Sequence, residues 1–203
     1  MKLPLDVDQI KGFLDPVEGE ALYDYCIVSA ELGPCLEVGS YCGKSTVYLG
    51  QACRESDTSL YAVDHHRGSE EHQLGEEYHD AELYDEQLGL LDSFKNFRLN
   101  MRAAELEETV VPIVAPSAIA AKNWATPLGM VFIDGGHSME AAMTDYSSWS
   151  GHIVPGGILA IHDIFIDPSE GGQAPHTIYK RAISSGLFEK LIQVKTLGLL
   201  RCV

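Results

Sequence analysis

Short apolar runs alternate with longer stretches of helical period along the chain. VEGEALYDYCIVSAEL (17–32) places Leu22, Cys26 and Ala30 on one helical face, and Gly33-Pro34 stops it. CLEVG (35–39) has the length and bulk of a buried strand. GKSTVYLGQAC (43–53) follows as a helix, and SLYAVD (59–64) as a second strand. Residues 65–92 are polar and irregular, and a helix is expected from about 86 to 104. VVPIVA (110–115), MVFIDG (130–135) and ILAIHD (158–163) are three further strands. A helix is expected near 138–150, and Pro155-Gly156-Gly157 reads as the turn into the fifth strand. The segment 174–186 is helical in period, and 188–203 reads as a closing hairpin. This alternation predicts one α/β domain over 1–203: a doubly wound, mostly parallel sheet with helices on both faces and an antiparallel C-terminal strand. Residues 1–34 form an N-terminal helical lid segment, and 35–203 the core.

Nearly every expected strand ends in an acidic residue, a glycine or both. Ligands of open parallel sheets bind outside the carboxyl ends of the strands. Five clusters should therefore converge on one sheet edge: Glu37–Gly43, Asp64–His66, Ser117, Asp134–His137 and His162–Asp163.

Composition narrows the partners. The 203 residues carry 30 acids against 14 Lys and Arg, a net charge of −16, which speaks against nucleic acid and an anionic membrane surface. No run of 18 apolar residues is present, and MKLPLDVDQI has no signal core, so a cytoplasmic place is expected. The five cysteines form no CxxC pair, which fits buried free thiols in a reducing compartment. Nine acids and one base fall between His65 and Asp92. An acidic cover over the site favours a neutral or cationic small molecule, though a solvated acidic loop explains the run as well.

LEVGSYCGKST (36–46) is compatible with three motifs. A phosphate loop needs four residues between Gly39 and the Gly43-Lys44-Ser45 element, and there are three. The dinucleotide fingerprint fails because position 41 is tyrosine. An acid ending the strand, then Gly39, Ser40 and Gly43 before a helix, resembles the first motif of class I S-adenosylmethionine-dependent methyltransferases. Asp64, at the end of the second strand, stands where a carboxylate can accept ribose hydroxyls.

FIDGGHSMEAAMTDYSSWSGHIVPGGILAIHD (132–163) sharpens the resemblance. It is similar to the FIDG(G/D)HSYE…D…W…PGG…HD pattern of small class I methyltransferases grouped with sugar, antibiotic and catechol-type O-methyltransferases. The likeness spans about 35–165. It implies S-adenosylmethionine as cofactor and methyl transfer to a small molecule at a hydroxyl oxygen. Glu37, Gly39, Ser40 and Gly43 would seat the methionine part, and Asp64 with His65 the ribose. Ser117 would stand by the adenine, unless it is simply a helix N-cap. Catechol-type and macrolide-sugar relatives hold a divalent metal on an Asp and on an Asp-Asp or Asp-Asn pair. Asp134 matches the first ligand, and His162-Asp163 occupies the pair. Because magnesium prefers oxygen, His162 leaves manganese, iron or zinc open beside it, or a hydrogen-bonded histidine and no metal.

His137 takes the spacing where catechol-type enzymes carry a lysine base. Histidine titrates near neutrality and suits that role, with Asp134 beside it; capping the next helix is the alternative. His176 is a weaker candidate. His65, His66, His72 and His79 fit no ligand spacing, although His65 or His66 stands near the substrate or ribose. A metal-dependent hydroxylase or hydrolase on the same fold, and a cofactor-binding protein without turnover, are the competing readings. Homodimerisation is left open.

Overall fold

The computed structural model describes residues 1–69 and 80–203, so His72 and His79 lie outside the described residues. Among the described residues, a seven-stranded sheet is formed by β1 (Cys35–Val38), β2 (Leu60–Asp64), β5 (Val110–Val114), β6 (Leu128–Ile133), β7 (Ile153–Ile161), β8 (Phe188–Val194) and β9 (Leu197–Cys202). Tyr84–Asp85 (β3) and Leu90–Leu91 (β4) make a separate small hairpin. The sheet order is β5-β2-β1-β6-β7-β9-β8. The first five of these run parallel, and β9 pairs antiparallel with both β7 and β8. The expected doubly wound sheet with its closing hairpin is therefore present.

β1, β6 and β7 are buried along their inner lengths, as strands covered on both faces must be. On one face lie α1 (Pro16–Ala30), α2 (Lys44–Glu55) and α3 (Phe94–Ala103). On the other lie α4 (Ser117–Ala120), α5 (Met139–Trp149) and α6 (Ala174–Ser184). Leu22, Cys26 and Ala30 do share the buried face of α1. That helix starts with a capping box: the Asp15 carboxylate accepts from Val17 N, and Glu18 accepts from Asp15 N at 3.3 Å. α1 is a layer of the core, and only the segment before it, Lys11–Leu14, reaches the functional cavity.

Two boundaries differ from expectation. The helix expected from 86 begins at Phe94. The Asp85 carboxylate accepts from the backbone of Gln87 and Leu88, and Gly89 has φ +68, so local turn chemistry builds a hairpin there instead. The Pro155-Gly156-Gly157 element is no turn into a strand. β7 already begins at Ile153, and the glycines sit in an irregularity where its register against β6 shifts between Leu128 and Met130. No helix among the described residues is long and apolar enough to cross a membrane.

Candidate active site

β1 gives off α2 to one side of the sheet while β6 begins the other half, so the order reverses between them. Their carboxyl ends open a cavity of about 580 Å³. The ladder carries the site residues into position: Gly39 N donates to Val63 O, Asp134 N to Val38 O and His162 N to Ile133 O, at 2.9–3.1 Å.

Gly39 has φ +89, and a Cβ there would overlap the Asp134 carbonyl, so only glycine lets the two loops meet. Gly43, at φ +93, is the N-cap of α2. Ser40 lies between them, buried, with a hydroxyl that has no protein partner while the residue lines the cavity. A buried unpaired hydroxyl is costly, so it marks a place for a ligand's polar group. The Asp64 carboxylate accepts from Tyr41 N at 2.8 Å and His66 N at 2.7 Å. These bonds fix it at the rim with lone pairs left over. His65 also lines the cavity. His66 does not: its ring packs on Phe94 and Phe97, with Nδ1 at 2.9 Å from Ser93 Oγ, so it supports the wall from behind.

Glu37 departs from expectation. It is fully buried and takes bonds from Ser45 Oγ at 2.5 Å and Thr46 Oγ1 at 2.6 Å, off the cavity wall. Strand alternation turns it towards α2 rather than outwards. Burial pushes its carboxyl up to about 8, against those two bonds. Ser45, at the start of α2, reaches the cavity in its place.

Ser117 lines the cavity, but it is not an N-cap. Pro116 holds that position, and no side chain caps α4. The Ser117 hydroxyl accepts from Trp149 Nε1 at 3.2 Å and bonds the Asp145 carboxylate. Asp145 was missed as a site residue. It is buried on α5 against the cavity, and burial raises its carboxyl to about 6. Its signal was available in the TDY of the long motif, where it read as an ordinary helix position.

At the other end, His137 Nε2 lies 3.0 Å from Asp163 Oδ2. Ser138, not His137, caps α5 by accepting from Ala141 N. His162 is buried between carboxylates, with Nδ1 3.0 Å from Asp134 Oδ1 and Nε2 3.0 Å from Glu18 Oε2. Burial alone would depress its pKa. The charge of Asp134 and the bonds to Asp134 and Glu18 instead lift it to about 11. Burial would likewise raise Glu18, yet the bonds from His162 and Thr196 bring it down to about 2. Asp163 sits at φ +57, a strained conformation for a non-glycine residue, and the bond from His137 overcomes burial to lower its carboxyl. Glu18 lay outside every expected cluster. His176 lies off the cavity lining, 3.4 Å from Gln173 Oε1.

A family model described as a methyltransferase domain matches residues 36–164. The chain belongs to this family.

Solved structures agree on the fold of this methyltransferase. The O-methyltransferase NovP is 15% identical with a TM-score of 0.69, over 92% of this chain and 79% of that one. The O-methyltransferase TomG of Streptomyces achromogenes, solved with S-adenosylmethionine, is 12% identical with a TM-score of 0.64, over 94% and 82%. An O-methyltransferase of Bacillus cereus, solved with S-adenosylhomocysteine, is 14% identical with a TM-score of 0.61, over 93% and 80%. By family this is a methyltransferase, and it shares its fold with O-methyltransferases solved with S-adenosylmethionine and S-adenosylhomocysteine.

The metal implied by the catechol-type resemblance can be tested on the donor set. Asp134, His162 and Asp163 each offer one ligand atom within 4.8 Å of the other two. From His162 Nδ1, Asp134 Oδ1 lies at 3.0 Å and Asp163 Oδ1 at 3.5 Å, and donors about 2.1 Å from an octahedral ion lie ~3 Å apart at right angles. Three carboxylates, Glu18, Asp134 and Asp163, also converge on one imidazole, an excess of negative charge that favours a cation. The residues fit a divalent ion, which would take the place of the Nδ1 proton.

Proposed function

We propose that this methyltransferase methylates a hydroxyl oxygen of a small neutral or cationic molecule, with a divalent ion held by Asp134, His162 and Asp163. One observation carries the reading. The glycine loop with Ser40 and Asp64 and the cluster Asp134, His137, His162 and Asp163 open onto the same cavity, joined where Gly39 meets Asp134.

S-adenosylmethionine supplies a methyl group on a positively charged sulfur. Gly39 and Ser40 would receive its methionine part, the Asp64 carboxylate its ribose hydroxyls, and Ser117 with Asp145 its adenine end. In-line transfer needs donor and acceptor aligned, and the Gly39–Asp134 contact sets the two halves of the cavity against each other. A bound ion would polarise the acceptor hydroxyl as a Lewis acid. His137 would take the hydroxyl proton as the C–S bond breaks and the O–C bond forms. Asp163 orients the ring, as a carboxylate orients the imidazole of other acid–base pairs. The acidic cavity wall, with Asp64, Asp134, Asp145 and Asp163, supports a neutral or cationic acceptor. Five unpaired cysteines, two with sulfurs 3.5 Å apart, support a reducing compartment such as the cytoplasm.

The test is methyl transfer from labelled S-adenosylmethionine to a panel of neutral, cationic and anionic small hydroxyl compounds, with and without Mn²⁺. Label in a neutral or cationic ether product, increased by Mn²⁺, is expected. Label only on nitrogen or only on anionic acceptors would overturn the acceptor class, and a rate indifferent to Mn²⁺ and to chelator would remove the ion.

A further inference from the structure

Glu18 stands on α1, outside the residues the family model matches, yet it is only 2% exposed and touches the heart of the site. Its two oxygens have separate tasks. Oε1 accepts from Thr196 N at 2.8 Å and from Thr196 Oγ1 at 2.7 Å, in the turn between β8 and β9. Oε2 faces His162 Nε2 at 3.0 Å and also accepts from Asp15 N at 3.3 Å. A backbone N–H can only donate, and each oxygen faces one, so both oxygens are acceptors and the proton of the Nε2–Oε2 bond belongs to the ring. The other ring nitrogen, Nδ1, faces Asp134 Oδ1 and Asp163 Oδ1.

We propose that Glu18 is a positioning residue that keeps the His162 proton on Nε2 and so presents Nδ1 as a nitrogen donor, making this site select a transition ion such as Mn²⁺, Fe²⁺ or Zn²⁺ over Mg²⁺. The inference rests on the metal-assisted reading above. The bond at one imidazole nitrogen decides which nitrogen carries the proton, and a carboxylate behind a ligating histidine fixes both tautomer and ring orientation. Magnesium favours oxygen ligands, whereas the later divalent ions accept imidazole. The resemblance expects an oxygen donor at position 162. The histidine there changes the donor chemistry, and Glu18 makes the change usable. Because Glu18 also ties down the β8–β9 turn, a purely structural role is the reading to exclude.

The experiment uses the full chain, stripped of metal by chelator. Calorimetry with Mn²⁺ and Mg²⁺ is run on wild type and Glu18→Gln, and S-adenosylhomocysteine binding reports folding. Nitrogen NMR of the histidine rings in the Zn²⁺-loaded wild type reads the tautomer without any variant. Wild type should bind one Mn²⁺ at least ~10-fold more tightly than Mg²⁺, with the His162 proton on Nε2. In Glu18→Gln the two closer donors, Thr196 N at 2.8 Å and Oγ1 at 2.7 Å against Asp15 N at 3.3 Å, retain the amide oxygen, so the amide NH₂ gives up the Asp15 bond, turns to Nε2 and drives the ring proton onto Nδ1. Mn²⁺ affinity should then fall about 10–100-fold while S-adenosylhomocysteine binding is kept. If wild type binds Mn²⁺ but carries the proton on Nδ1, or if Glu18→Gln binds Mn²⁺ as wild type does, Glu18 has no positioning role and the metal reading survives. Equal affinity for Mn²⁺ and Mg²⁺ overturns the selectivity. A wild type that binds neither ion overturns the metal reading itself.

Discussion

Among the described residues, two groups of three potential metal-ligating side chains lie near β1, and what they share is the close approach of their donor atoms. Cys26, Cys35 and Cys53 bring three sulfurs together beneath the sheet, with Cys26 Sγ 3.5 and 3.7 Å from the other two. All three are buried among apolar side chains of α1, α2 and β1, and no charged group takes part in the cluster. Asp134, His162 and Asp163 converge at comparable spacing, but at strand ends, beside a cavity, with Glu18 bonded behind His162 and His137 bonded to Asp163 on the cavity wall. The thiols satisfy one another and fill volume. The carboxylates leave charge that the surrounding protein does not neutralise. Proximity of donors is therefore shared by core and site, and donor type, outer bonding, access and residual charge separate them.

That contrast can be broken at five places. Gly39→Ala drives a methyl into the Asp134 carbonyl at the join of the two halves, and loss of measurable S-adenosylhomocysteine binding by calorimetry is expected. Asp134→Asn keeps one amide oxygen but removes the carboxylate charge facing His162 and the second oxygen donor, and kcat/KM should drop by ~10³-fold. Retained activity there would make the polar cluster as inert as the thiols. His137→Gln removes the proposed base and should lower kcat by ~10²-fold with little change in cofactor affinity.

Glu37 tests the ground between the two groups, since it shares a face of β1 with Cys35. Its carboxyl is raised in the folded state from an ordinary 4.5 to about 8. The folded chain then holds a proton that the unfolded chain has lost. This contribution is full below about 4.5 and disappears as pH rises through 8, at up to ~1.4 kcal/mol per pH unit. Denaturant midpoints measured from pH 5 to 8 should therefore fall more steeply for wild type than for Glu37→Gln. Parallel curves would show that Glu37 stays ionised. The smallest effect belongs to Cys26→Ala, which should cost about 1 kcal/mol of stability and leave turnover and Mn²⁺ binding unchanged. A loss of bound metal in that variant would reverse the comparison.

The sheet and most of the site were legible from the chain because both follow from local pattern. Apolar runs ended in acids or glycines, and parallel strands bring such endings together whatever their separation in sequence. What escaped depended on direction and on distant partners. Glu37 was visible as a strand-end acid, but the side of the strand it occupies was decided by Ser45 and Thr46. Glu18 was visible only as the third position of a capping box. Its bond to His162, 144 residues away, exists because α1 packs across the sheet to the β8–β9 turn. The helix start at 94 was hidden because the Asp85 turn and Gly89 interrupt a stretch that otherwise carries helical residues.

The contact between Gly39 and Asp134 has a consequence for tolerance. The cofactor loop and the acceptor-side loop touch through main chain, with no side chain between them to absorb a displacement. Any error in the seating of one partner is then handed on undiminished to the other. The enzyme gains a fixed spacing between methyl donor and receiving oxygen, and gives up the freedom to retune one half of its cavity without disturbing the other.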